Sequence, residues 1–215
     1  RVLFRSRDSA TFDAVHRWGF AYFDGQLEGL EVKSIQADDA ERLQRALVHA
    51  LIIQPPSEWA AWLVNRLEQL EKGTIWQPLL AVAEKGVQHA VQELGGEDPA
   101  VAELLDKQAI ILVNLARYEE AEPLFRRALA IDEASYGPNH PKVAIKLNNL
   151  AQLLQATNHL TEVETLMQRA LAIDEASYGS EHPEIAIKLN NLALLLQATN
   201  RLAEAEPLFW RALAI

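Results

Sequence analysis

Asn148 and Asn190 stand 42 residues apart in the same local sequence, Lys-Leu-Asn-Asn-Leu. Gln152, Gln155 and Gln197 follow them at helical spacings. A carboxamide both donates and accepts a hydrogen bond, so this set suits the backbone of an extended peptide. Ile145, Ile187 and Leu194 are interleaved with the amides and would supply apolar pockets for side chains. This is chemistry for recognition, not for making bonds. His140 and His182 also recur one period apart, each directly before a proline, where the first copy has Asp98. They read as repeated loop residues at a helix-cap position, not as metal ligands. Glu119, Glu120 and Glu122 cluster at a helix start, where the dipole favours anions. Catalytic carboxylates would need a pocket and a perturbed pKa, and a surface helix start offers neither. Gly95-Gly96 lacks the lysine and the preceding strand of a phosphate loop. No serine nucleophile elbow and no His-Glu-x-x-His is present. The expectation is a non-enzyme without catalytic residues, metal or cofactor.

Composition narrows the classes further. Of the 215 residues, 49% are hydrophobic, enough for a large core and against disorder. The net charge is −10, and it is spread as −3 over residues 1–94 and −7 over 95–215. That field repels phosphate backbones, so nucleic acid is not an expected partner. There is no cysteine, which excludes disulfides and thiolate metal sites and fits a reducing, cytoplasmic setting. No apolar run reaches about 18 residues, so no membrane span is expected.

The elements that position the amides come from an internal repeat. ALAIDEASYG at 128–137 recurs letter for letter at 170–179, and residues 128–150 and 170–192 agree at 19 of 23 positions. A fixed period of this size marks a solenoid. Three units fall at 95–136, 137–178 and 179–215, the last one truncated. Gly95, Gly137 and Gly179 follow a helix, where a positive φ suits glycine. Pro99, Pro141 and Pro183 open the next helix. That helix, A, buries Leu105, Ala109 and Leu112 in the first unit, and Leu147, Ala151 and Leu154, then Leu189, Ala193 and Leu196, in the others. After short turns at 116–117, 158–159 and 200–201, helix B buries Ala121, Phe125 and Ala128; Val163, Met167 and Ala170; Ala205, Phe209 and Ala212. Small alanines let antiparallel helices approach, and the larger side chains fill the gaps.

Upstream the pattern is looser. Residues 37–94 read as irregular helical hairpins or capping repeats. Asp38 or Asp39 starts one helix, Ser57 caps the next after Pro55-Pro56, and Gly73 and Thr74 separate that helix from a third. Trp59, Trp62 and Trp76 read as core aromatics. Residues 7–36 read as the remnant of an upstream region, with a short helix capped by Ser9 and a hairpin signal around Asp24-Gly25. Residues 1–6, RVLFRS, coincide with a translated sequencing-adapter end, and the chain opens on Arg1. The reading is adapter read-through on a bacterial, metagenomic gene fragment, with the native protein continuing past Leu208 and Leu213. Trp210 is then either a contact to a further repeat or an exposed interaction residue.

The motif L-x-N-L-A-x-L-L-x-x-x-N-x-x-x-E-A-E-P-L-F-x-R-A-L-A-I over 189–215 resembles the tetratricopeptide repeat. The 42-residue period and the SYG-x-x-HP linker are similar to the kinesin-light-chain-like subclass. The resemblance implies an all-α fold, an α–α superhelix of antiparallel helix hairpins, in which helix A lines a concave groove that binds peptides. Placing the apolar residues inward turns Glu103, Asp106, Ile110 and Val113 towards that groove in the first unit. In the second it turns Ile145, Asn148, Gln152 and Gln155, and in the third Ile187, Asn190, Leu194 and Gln197. Asn149 and Asn191, one residue round, are read as bonding a neighbouring repeat, and Lys146 and Lys188 as solvated rim charges. With no Lys or Arg at groove positions, a clamp for a terminal carboxylate is not expected. The function this implies is a protein–protein interaction scaffold that binds a peptide segment. The alternative is a sensor or regulatory arm of a larger signalling enzyme, a STAND-type ATPase or a caspase-like protease, whose catalytic domain lies outside this chain.

Overall fold

The computed structural model describes residues 9–28, 30, 35–72 and 75–215. Among these are ten helices and no strand. The chain divides into two compact units, one ending at Arg117 and the other spanning Tyr118–Ile215. Residues 1–6, Gly73 and Thr74 lie outside the described residues.

The first unit contains α1 (Ser9–Gly25), α2 (Ala37–Ile53), α3 (Pro56–Leu70), α4 (Trp76–Leu94) and α5 (Pro99–Asn114). Helix α1 packs on α2, α3 packs on α4, and α5 packs on both α3 and α4. The hairpin expected near Asp24-Gly25 is absent, because one helix runs through to Gly25. The aromatic spacing explains this. Phe12, His16, Phe20 and Phe23 are separated by four, four and three residues, a helical period, whereas strand alternation would split them between two faces. Tertiary contacts then hold the helix end. Asp24 accepts hydrogen bonds from Trp62 Nε1 at 2.8 Å and from Arg66 Nε at 2.6 Å. Phe20 meets Trp62 edge-on, and Leu27 is fully buried.

Helix α2 begins at Ala37, with Asp38 and Asp39 in its first turn. The Asp39 carboxylate accepts from the Gln36 backbone N–H and from Arg42, which closes a capping box. Ser57 does not cap α3. Pro56 is the first helical residue and Pro55 precedes it, so the start falls two residues earlier than a serine cap would place it. Trp59 is buried in the core as expected, while Trp62 and Trp76 are half-buried.

The second unit contains α6 (Tyr118–Tyr136), α7 (Pro141–Ala156), α8 (Leu160–Tyr178), α9 (Pro183–Ala198) and α10 (Leu202–Ala214). Each helix packs on the next. Val143, Ala144 and Leu147 of α7 form one cluster with Ala170 and Ile173 of α8, and Leu129 and Leu166 flank it. Each larger side chain of this kind contributes about 1.5–3 kcal/mol when buried. Along the B helices an ion pair repeats with the sequence. Arg169 meets Glu133 at 2.5 Å, and Arg211 meets Glu175 at 2.6 Å, one period on. Arg126 adds a two-pronged contact to Glu162, which holds that carboxyl below its ordinary range.

Helix ends follow local chemistry in both units. Gly95, Gly137 and Gly179 have φ of 92°, 87° and 88°. The turns after α5, α7 and α9 pass through Ala116, Asn158 and Asn200 at φ near +60°. In each turn the following N–H closes back on the carbonyl five residues before it, as in Arg117 to Leu112 at 2.9 Å.

Candidate peptide groove in the second unit

Pro141 and Pro183 occupy the first position of α7 and α9, and the preceding histidine caps each helix. His140 Nδ1 accepts from the Lys142 N–H at 3.2 Å, and His182 Nδ1 accepts from the Glu184 N–H at 3.3 Å. Each ring packs on the tyrosine of the preceding SYG, at 4.8 Å from Tyr136 and 5.4 Å from Tyr178. The repeated histidines are thus built into the connection between helices. With the prolines they fix where each A helix starts, and the apolar spacing then decides which face is buried.

With that phase, Leu147, Leu150, Ala151 and Leu154 of α7 are buried, and so are Leu189, Leu192, Ala193 and Leu196 of α9. The outward flanks of the two helices bound a hollow of about 380 Å³. From α7 it is lined by Asn148, Gln152 and Gln155, and from α8 by Met167. From α9 it is lined by Glu184, Ile187, Lys188, Asn191 and Leu194. Ile187 and Leu194 are 55% and 48% exposed.

Five of the residues expected at the groove therefore come together: Asn148, Gln152, Gln155, Ile187 and Leu194. Ile145, Asn190 and Gln197 are exposed but do not line the hollow. Asp106 is in the first unit and is nearly buried within α5, not facing an open surface. Asn191 lines the hollow where Asn190 was expected. The reason is that the hollow lies between two A helices. It is approached from opposite flanks, so equivalent positions on α7 and α9 do not both face it. Gln152 and Leu194 are the one pair of equivalents that does.

The two lysines also depart from expectation. Lys146 is 2% exposed and makes contacts inside the fold, so it is not a solvated rim charge. Lys188 lines the hollow, with its ammonium 3.0 Å from Asp174 Oδ2 on α8. Asp174 is almost fully buried, and that oxygen has no directed hydrogen bond, so the contact is electrostatic. Asp132 and Lys146 repeat the same two residue types one period earlier, and both are buried. Trp210 is exposed on α10, with its Nε1 3.4 Å from Glu206.

A profile of the tetratricopeptide repeat matches residues 100–176 and 160–215, over half the chain. The chain belongs to the tetratricopeptide-repeat family. No curated protein sequence matches it. Among solved structures, BtubC (BKLC) from P. vanneervenii is similar at a TM-score of 0.73 and 19% identity, covering 97% of this chain and 82% of that one. A putative kinesin light chain with nearly identical repeats from Podosopora anserina has a TM-score of 0.69 at 22% identity, covering 75% and 76%. Aspartyl phosphate phosphatase F from Bacillus subtilis has a TM-score of 0.70 at 14% identity, covering 99% of this chain and 54% of that one. At these identities the likeness is one of fold: an all-α superhelix of tetratricopeptide repeats, of the kinesin-light-chain type. The repeat accounts for the paired helices and the turn chemistry. No helix among the described residues is long and apolar enough to cross a membrane.

Proposed function

We propose that this tetratricopeptide-repeat protein is a non-catalytic interaction scaffold that takes an extended peptide segment of a partner protein into the hollow between α7 and α9. One observation carries this reading: amide side chains from α7 face exposed aliphatic side chains and a further amide from α9 across the same hollow. Asn148, Gln152, Gln155 and Asn191 can satisfy the N–H and C=O groups of an extended chain. Ile187, Leu194 and Met167 offer apolar contact to its side chains. The volume of about 380 Å³ falls within the range of ordinary ligand pockets. A partner held this way needs no cofactor.

The test is a peptide array probed with the whole chain, followed by affinity measurement on the best binders. Leu194→Asp is expected to abolish binding. Asn148→Ala with Gln152→Ala is expected to weaken it by about two- to tenfold for each lost hydrogen bond. Glu119→Gln on α6, which does not line the hollow, serves as the control. Affinities within twofold of the parent for both groove variants would refute the assignment.

A further inference from the structure

We infer that Glu184 gives the hollow a charge preference: the peptide segment it accepts carries a lysine or arginine close to an aliphatic side chain, and acidic segments are disfavoured. This rests on the peptide reading above and adds to it the chemistry of the occupant.

The hollow is lined by two charged side chains, Glu184 and Lys188. Lys188 is already neutralised by Asp174 at 3.0 Å, through a carboxylate with almost no solvent exposure. An incoming acid would have to compete with that pair to reach the ammonium. Glu184 is exposed, and among the described residues no cation forms an ion pair with it. The uncompensated charge at the hollow is therefore negative, on a chain whose net charge is −10. The start of α9 offsets this only in part: the His182 side chain already takes up the Glu184 N–H, and the helix end opposes the full charge of the first-turn Glu184 carboxylate with about half a positive charge.

The charge belongs to this hollow and not to the repeat as such. One period earlier the position holds Lys142, whose ammonium lies 4.9 Å from the centre of the Tyr136 ring and does not line the hollow.

Geometry sets the spacing. Glu184, Ile187, Asn191 and Leu194 lie along one face of α9 at successive turns. At 1.5 Å per residue, Glu184 and Leu194 are about 15 Å apart along the axis. An extended chain covers that distance in about four to five residues. The basic residue of the segment thus sits towards the start of α9, with aliphatic residues following towards Leu194 and the amides of α7 reading the backbone between them.

The experiment uses a synthetic array of random nine-residue peptides and the full chain, with Glu184→Gln, Glu184→Lys and Leu194→Asp variants. The expected result is that bound peptides are enriched in Lys or Arg and depleted in Asp and Glu. Glu184→Gln should lower the affinity of the basic binders by about two- to fivefold, as for an exposed ion pair. It should leave uncharged binders within twofold, and Glu184→Lys should reverse the preference. The difference between basic and neutral peptides should shrink with added salt. If binding is lost in Leu194→Asp but the charge preference is unchanged in Glu184→Gln, or if acidic peptides are enriched, the charge inference is overturned and the groove stands. If no peptide binds, or Leu194→Asp changes nothing, the groove reading fails and this inference with it.

Discussion

Removing the Lys188 ammonium alone should destabilise the second unit far more than a surface charge would. Its partner Asp174 has a side chain only 6% exposed, while Lys188 itself is 24% exposed. Breaking a buried pair from one side leaves the other charge uncompensated, at a typical cost of about 3–5 kcal/mol. Lys188 keeps some contact with water, so Lys188→Met is expected to lose about 2–4 kcal/mol at pH 7. Adding Asp174→Asn should restore most of the loss. Replacing both groups, as Asp174→Leu with Lys188→Met, should come within about 1 kcal/mol of the parent. Urea unfolding followed by far-ultraviolet circular dichroism gives these differences by linear extrapolation. A loss under about 1 kcal/mol at pH 7, or a double variant no better than the single one, would refute the reasoning.

In the first unit, burial and the neighbouring His16 hold the His49 imidazole below its ordinary 6.5. The unfolded chain therefore binds the proton more readily. Stability from this site is complete above 6.5 and is lost as pH falls through 6.5 towards the lower folded value. Amide exchange in α1 and α2, corrected for intrinsic rates, should show less protection at about pH 5.5 than at about pH 7.5. His49→Gln should remove the difference, and an unchanged difference would count against it. Ala116 holds φ 57° where the later repeats place Asn158 and Asn200. Ala116→Gly should therefore stabilise by about 0.5–1 kcal/mol in thermal unfolding. Gly179→Ala should destabilise by about 1–3 kcal/mol through backbone strain alone, since no atom lies within 4 Å of the added Cβ.

The sequence is most legible where the physics is local. Proline at a helix start, glycine at positive φ and histidine at the cap need only their chain neighbours, and all three recur in the folded chain as the spacing requires. The buried faces of α7 and α9 follow from apolar spacing for the same reason. The flank of α9 that opens on the hollow does not, because it depends on how α9 lies beside α7. Asn190 and Asn191 fit the helical spacing equally well, and packing decides for Asn191 at the hollow. Lys146 is a harder case, since a lysine in a polar pattern reads as solvated. Asp132 and Lys146 are fourteen residues apart, and so are Asp174 and Lys188, but a duplicated repeat reproduces every such offset, so the spacing alone does not announce the pair. In α1 the Asp-Gly dipeptide outweighed the helical spacing of Phe12, Phe20 and Phe23, although helix ends and hairpins use the same residues. His16 Nδ1 and His49 Nδ1 approach to 2.7 Å across two helices, a contact no local pattern announces. Gly19 permits it, because a Cβ there would meet the His49 ring at 2.6 Å.

Because Arg169–Glu133 and Arg211–Glu175 are the same contact shifted by one period, the seams between repeats are interchangeable parts. Excising residues 137–178 would join Tyr136 to Gly179 and present Glu133 and Asp132 of α6 to Arg211 and Lys188, which already fit the identical residues of α8. Such a shortened chain should still fold, but it would retain only one of the two helices that bound the hollow. Repeat number can therefore vary with little cost to assembly, while this recognition surface exists only where α7 and α9 stand side by side.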